Sequence, residues 1–69
     1  SIKFHKTHLK IVYSYVSMHD GQTLLQKNIS ADTGIGKNTV SRDLNYLVKR
    51  KFIRRDGKNY SVIPENERN

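Results

Sequence analysis

Residues 29–44 hold two helical segments joined by a turn, and this stretch decides the fold. It reads Ile29-Ser30-Ala31-Asp32-Thr33-Gly34-Ile35-Gly36-Lys37-Asn38-Thr39-Val40-Ser41-Arg42-Asp43-Leu44. Gly34 is expected to end the first segment, because glycine readily adopts the left-handed conformation at which helices stop. The helix after the turn is the third along the chain, and we call it helix 3. It is predicted over residues 37–50, where apolar residues recur every three or four positions. Its buried side chains are expected to be Val40, Leu44 and Leu47.

The segment before Gly34, helix 2, has two alternative starting points. In the first, the helix covers residues 24–33, because Thr23 and Gln26 have the spacing of a capping box. In the second, residues 23–25 form a short strand and the helix begins near Gln26. The buried side chains of the helical alternative would be Leu25 and Ile29.

A longer amphipathic segment, helix 1, lies near the N-terminus. It is predicted over residues 8–19, with Thr7 as the N-cap and Asp20-Gly21 at its end. The apolar stripe has the i, i+3, i+4, i+7 spacing of one helix face. It consists of Leu9, Val12, Tyr13 and Val16.

A β-hairpin is predicted after helix 3. Residues 52–55 and 58–63 are its strands, and Asp56-Gly57 is its turn, because both residue types tolerate positive φ. A two-residue turn at this place pairs Arg55 with Lys58 and Ile53 with Tyr60. Strand alternation then places Ile53, Tyr60 and Val62 on the core face.

Size and composition exclude several classes of protein. Sixty-nine residues form one small domain with a modest core. The absence of cysteine excludes disulfides, a cysteine nucleophile and thiolate metal ligation. Apolar runs are only two or three residues long, which excludes a transmembrane helix. We therefore expect no membrane association, and because Ser1 is not methionine we expect a longer parent chain.

The positive charge is concentrated in one third of the chain. Lysine and arginine total 13 against six acidic residues, for a net charge of +7 and a pI near 10.0. Residues 37–58 carry eight of the cations against Asp43 and Asp56, a local net charge of +6. This distribution favours an anionic partner, with nucleic acid first.

Three helices followed by a basic hairpin resemble the winged helix-turn-helix family, and the local sequence strengthens the resemblance. Its turn pattern is carried by Ile29, Ser30, Gly34, Ile35 and Val40. Residues 39–44 are similar to the recognition helix of several bacterial repressors, including the arginine repressor, and residues 52–57 match the first wing strand and turn. Gly36 departs from the usual serine, which weakens the helix cap.

The resemblance covers residues 8–63 and implies both a fold and a function. The expected fold is a small α+β domain, a three-helix winged helix-turn-helix with a C-terminal β-hairpin wing. Residues 1–7 would be a lead-in and residues 64–69 a polar tail. The implied function is double-stranded DNA binding, with the recognition helix over residues 37–50 in the major groove and a basic wing over residues 54–58 on the backbone or in the minor groove.

The candidate DNA-binding residues are those expected to face outward on helix 3 and near the wing tip. They are Lys37, Asn38, Thr39, Ser41, Arg42, Asn45, Arg54, Arg55 and Lys58. Arg42 and Asn38 are the best candidates for reading bases, because arginine pairs bidentately with guanine and asparagine with adenine. Asp43 is expected to orient a neighbouring cation rather than to accept from cytosine.

Lys37 lies at the start of helix 3, where a positive charge lowers the stability of the helix. A cation in the first turn opposes the helix dipole, and Gly36 supplies no side-chain acceptor for the free N–H groups. A bound phosphate would explain both residues, since helix N-termini bind anions.

No catalytic, metal or cofactor site is expected. Gly36-Lys37 is reminiscent of a phosphate loop, but that motif needs serine or threonine directly after the lysine and a second glycine five residues before Gly36. Asn38 and Ala31 occupy these two positions. The histidines His5, His8 and His19 are scattered, and we interpret them as surface or capping residues. The chain is therefore predicted to bind without catalysing a reaction.

A protein-interaction module is the alternative to DNA binding. Ile11, Tyr15 and Met18 lie off the main stripe of helix 1 and would form an apolar contact patch or a dimer contact. The expected partners are thus double-stranded DNA, and in addition a second copy or other domains of a longer chain. A transcription regulator, or a replication initiator or helicase of a plasmid, phage or other mobile element, would be the parent, in the cytoplasm of a prokaryote.

Overall fold

The computed structural model describes residues 6–67, and in it the chain is a small α+β domain with three helices and a three-stranded antiparallel sheet. The elements are α1 Thr7–Met18, β1 Gln22–Thr23, α2 Gln26–Thr33, α3 Lys37–Lys49, β2 Ile53–Asp56, β3 Asn59–Val62 and a 3₁₀ turn Glu65–Glu67. The 3₁₀ turn lies within the predicted tail. The described range does not include residues 1–5, among them His5, or residues 68–69.

The start of α1 differs from the prediction by one residue. Thr7 is the first helical residue, and Lys6 is the N-cap without a side-chain capping bond. At the other end the backbone N–H of His19 donates to the carbonyls of Tyr15 and Val16, and its Nδ1 lies 2.9 Å from the Tyr15 oxygen. The capping interpretation of this histidine is confirmed.

The structure decides between the two alternatives for helix 2. The chain is extended through Gln22–Thr23, and α2 begins at Gln26, so the strand alternative is confirmed and the capping box is wrong. Because Leu24 precedes the helix in extended chain, it turns into the core, and Leu25 is only half-buried. Gly34 ends α2 with φ of 78°, as predicted.

The hairpin forms, but its predicted register is wrong. Its two-residue loop is Gly57-Lys58, one position later than expected. The pairs are Ile53 with Val62, Arg54 with Ser61, Arg55 with Tyr60 and Asp56 with Asn59. Gly57 has φ of 63° at the first loop position, where type II′ hairpin turns require glycine. The register error is two residues, so each side chain keeps its predicted face.

A third strand extends the predicted hairpin into a sheet of order β1-β3-β2. Gly21 N–H donates to the Tyr60 carbonyl at 2.7 Å, and Leu24 N–H donates to the Lys58 carbonyl at 2.8 Å. The backbone N–H of Val62 donates to the Asp20 carboxylate at 2.6 Å. The connection between α1 and α2 therefore anchors β3, the central strand of the sheet.

The core lies between the three helices and the inner face of the sheet. Its buried members are Leu9, Val12, Val16, Leu24, Ile29, Val40, Leu44, Leu47, Ile53 and Tyr60. Tyr13 and Val62, predicted on core faces, are half-buried and pack against this cluster. The buried stripe of α3 is the predicted one, so the opposite face of that helix is fixed toward solvent.

The C-terminal end of α3 contains a strained residue. Phe52 N–H donates to the Leu47 carbonyl and Lys51 N–H donates to the Val48 carbonyl, the two bonds of a Schellman motif. Lys51 occupies the left-handed position with φ of 64°, which glycine usually fills. This motif turns the chain directly into β2.

Candidate nucleic-acid interface

An exposed polar and basic stripe runs along α3, opposite its buried face. It consists of Asn38, Arg42, Asn45 and Lys49, all exposed and spaced by four, three and four residues. Sequence reasoning proposed the first three and omitted Lys49. The same spacing that relates Asn38 to Arg42 relates Asn45 to Lys49, so the periodicity alone would have included it. The stripe presents amide, guanidinium and ammonium donors along one line.

The remaining candidates on α3 occupy its sides and its start. Thr39 and Ser41 are half-buried, so they are less available to a ligand than the exposed stripe. Lys37 is exposed in the first turn, as expected. Of these three side chains, only that of Thr39 lines a surface groove with members of the stripe.

The start of α3 has no side-chain cap and no acidic residue in its first turn. The same is true of α1 and α2, so the missing cap does not single out α3. A cation near the start is also common to all three helices, since Lys6 is the N-cap of α1, Lys27 is the second residue of α2 and Lys37 is the first residue of α3. The start of α3 differs in that Asn38 of the stripe follows directly. Free backbone N–H groups and an ammonium group at this end together favour an anion.

Asp43 belongs to the interior of the domain rather than to the outward face of α3. Its side chain is only 7% exposed, and Oδ2 lies 2.6 Å from Nδ1 of His8 on α1. Asp43 is thus turned away from a base, and its observed partner is His8, not the lysine or arginine that the prediction of a neighbouring cation implied.

An open groove of about 420 Å³ lies between the start of α1 and the stripe of α3. Its walls carry Lys6, the N-cap of α1, and His8 of that helix, with Thr39, Arg42, Asn45 and Lys49 from α3. Leu9 and Tyr46 contribute apolar surface to the same groove. Three of the predicted site residues are therefore brought together here, beside two residues of α1 that the sequence reasoning did not select.

The wing carries its predicted cations on exposed positions, Arg54, Arg55 and Lys58. Arg55 is held in place from two sides: its Nε donates to the Gly57 carbonyl at 3.0 Å, and its guanidinium carbon lies 5.9 Å from the centre of the Tyr60 ring. Such contacts pre-orient the guanidinium and leave its terminal nitrogens for a ligand. Arg55 and Lys58 line a pocket of about 200 Å³ beside Gln26 at the start of α2.

Comparison with known proteins adds no relative to this geometry. No protein-family model, curated protein or solved structure matches the chain. The functional conclusion therefore depends on the arrangement of the residues described above.

Other kinds of site find little support in the described part of the chain. Among the side chains that the structure describes, no three of histidine, aspartate or glutamate lie close enough together to hold a metal ion. None of the helices within residues 6–67 has the length and apolar character needed to cross a membrane. Tyr60 is buried and Tyr13, Tyr15 and Tyr46 are half-buried, so these rings do not form an exposed stacking surface.

Proposed function

We propose that this chain is a double-stranded DNA-binding domain of the winged helix-turn-helix type. In this proposal α3 enters the major groove and the β2–β3 hairpin contacts the backbone or the minor groove. The observation that carries it is the stripe of Asn38, Arg42, Asn45 and Lys49 on α3. A helix with one face in the core and such donors on the other has the shape and chemistry that the major groove admits.

The architecture supports this proposal. A linker of residues 34–36 joins α2 to α3, and a short glycine-containing turn of this kind is typical of a helix-turn-helix. The hairpin follows α3 directly and is anchored to the loop before α2. Recognition helix and wing would then be held by one core, so both could dock on a duplex without rearrangement.

The side chains of α3 and those of the β2–β3 hairpin suit different parts of the DNA. Arg42 and the two asparagines of the stripe are suited to base edges, because they pair with guanine and adenine in two-point contacts. Arg54, Arg55 and Lys58 are suited to phosphates, which position the protein without reading sequence. As part of a longer chain, such a domain would direct a transcription regulator, a replication initiator or a helicase to DNA.

A protein-interaction module remains the second candidate because of one observation. Ile11 is 40% exposed and Met18 is 72% exposed, and both lie on the side of α1 away from the core. Together with Tyr15 they line a shallow pocket that also contains Lys10 and Asp32. Among the described residues, Ile11 and Met18 are the large apolar side chains that are exposed, whereas the stripe of α3 is polar and basic.

Fluorescence anisotropy with a labelled mixed-sequence duplex, repeated across a salt series, tests the proposal. We expect the logarithm of the affinity to fall linearly with the logarithm of the salt concentration, with a slope equivalent to several phosphates. The labelled single strand of the same sequence is the control and should bind more weakly. Absence of duplex binding at low salt, or preference for the single strand, would contradict the proposal.

A further inference from the structure

We propose that the groove between α1 and α3 seats the sugar–phosphate backbone beside the bases that α3 reads, and that Lys6 is its phosphate contact on α1. This inference depends on the proposed function, because it names a second contact surface for the same duplex. It extends the interface from α3 and the wing to the first turn of α1. Nothing in the sequence pattern of that turn indicated such a role.

The position of the groove argues for DNA as its occupant. Arg42, Asn45 and Lys49 belong both to the exposed stripe of α3 and to the lining of the groove. A duplex whose bases meet Arg42 and Asn45 would therefore bring the flanking sugar–phosphate backbone to the side of the groove that carries Lys6. The groove is continuous with the proposed interface rather than a separate pocket.

The charge of the groove is positive where a ligand would enter. Lys6, Arg42 and Lys49 are exposed, and they come from two different helices. The one acid in the lining, Asp43, is buried and is already bonded to His8. Because the cations are exposed and the carboxylate is buried, the groove favours an anion over a cation.

The surface chemistry fits a nucleotide backbone better than an isolated inorganic ion. The half-buried Tyr46 ring supplies apolar surface, and the guanidinium of Arg50 lies 5.2 Å from the centre of that ring. A deoxyribose can pack on this surface while its flanking phosphates meet Lys6 and Lys49. A volume of about 420 Å³ accommodates more than one phosphate group.

The bond between His8 and Asp43 gives Lys6 a defined place. It ties the first turn of α1 to the middle of α3, and Lys6 is the N-cap of that turn. The Lys6 backbone is thereby held beside the stripe instead of fraying, so less conformational entropy is lost when its ammonium group binds. In this account His8 is a positioning residue and Lys6 makes the contact.

The test compares three lysine variants by anisotropy on one duplex across a salt series. Lys6→Gln should lower the salt slope by about one phosphate and weaken binding roughly three- to ten-fold at moderate salt. Lys49→Gln reports on α3 itself and should show the same change. The control is Lys10→Gln, an exposed lysine of α1 that does not line the groove, which should leave the slope unchanged.

The pattern of results separates the two proposals. Failure of the unaltered protein to bind the duplex would overturn the proposed function itself. A lowered slope for Lys49→Gln with an unchanged slope for Lys6→Gln would overturn only the groove. Melting curves of all three variants should match that of the unaltered protein, because these side chains are exposed and make no capping bond in the described structure.

A neutral phosphate analogue locates the contact on the DNA. Methylphosphonates placed singly along a selected binding site should weaken binding at each phosphate that the protein touches. At one phosphate this penalty should disappear in Lys6→Gln and persist in Lys10→Gln. Equal penalties in both variants at every phosphate would exclude Lys6 from the interface.

Discussion

Nδ1 of His8 lies 2.6 Å from Oδ2 of Asp43, and this bond joins the first turn of α1 to the middle of α3. The two residues are 35 positions apart in the sequence. The carboxylate is buried, whereas about a third of the imidazole remains exposed. The bond fixes the helix that carries the proposed reading residues against the helix that borders it.

Removing His8 should therefore destabilise the domain. His8→Ala leaves the Asp43 carboxylate buried without its partner, which should cost roughly 1–3 kcal/mol in the free energy of unfolding. Denaturant unfolding followed by circular dichroism measures this loss. The matched control is Asp56→Asn, which alters an exposed acid and should stay within about 0.5 kcal/mol. Equal stability of the two variants would show that the bond contributes nothing.

Arg42→Ala should weaken binding to a preferred site by roughly 1–3 kcal/mol and relax selectivity at one base pair. The reason is that Arg42 lies at the centre of the exposed stripe, where a bidentate contact with guanine is expected. Anisotropy on the preferred duplex and on single-base variants of it measures both effects. Lys27→Ala, which alters an exposed cation on α2, is the control. Equal weakening on every sequence would make Arg42 a phosphate contact.

Arg55→Ala should weaken binding about uniformly across sequences and lower the salt slope by about one. Arg55→Lys keeps the charge but loses the contacts with Gly57 and the Tyr60 ring. It should restore the slope while recovering only part of the affinity, because the longer-range charge remains and the fixed geometry does not. An unchanged slope in Arg55→Ala would remove the wing from the interface.

Lys51→Gly should stabilise the domain, although it removes a side chain. Lys51 has φ of 64°, which costs an ordinary residue about 1–2 kcal/mol, and part of this is offset by the greater entropy loss of glycine. The expected net gain is about 1 kcal/mol, or about 4–8 °C in the melting temperature of a domain of this size. Lys51→Ala keeps the strained backbone and should show no gain; an equal gain would assign the effect to the lysine charge.

Local pattern was sufficient for most of α1 and α3, for the end of α2 and for the apolar face of α3, but not for the start of α2 or the burial of Leu25. Residue spacing predicts the buried face of α3, which consists of Val40, Leu44 and Leu47. The end of α2 follows from the conformational freedom of Gly34. The same spacing identifies the exposed face of α3. The exposure of Asn38, Arg42 and Asn45 was predictable for this reason, as was that of Lys49. Thr39 and Ser41 were also predicted to face outward, but they are half-buried.

Features that depend on distant partners were not predictable. Thr23 pairs with Asn59 in the sheet, and no local signal distinguishes this extended segment from the start of a helix. The hairpin register follows from the loop that places Gly57 at its first position and from the contact of β1 with β3. The burial of Asp43 requires a histidine from another helix, so sequence spacing could not reveal it.

Backbone amide chemical shifts of the ¹⁵N-labelled domain, titrated with a short duplex, test the central claim most directly. The account predicts that the largest changes occur at Asn38, Arg42 and Asn45 and along residues 54–58, while Ile11 and Met18 stay unaffected. Changes concentrated at Ile11 and Met18, or no changes at low salt, would contradict a DNA-binding face on α3 and would favour the protein-interaction module.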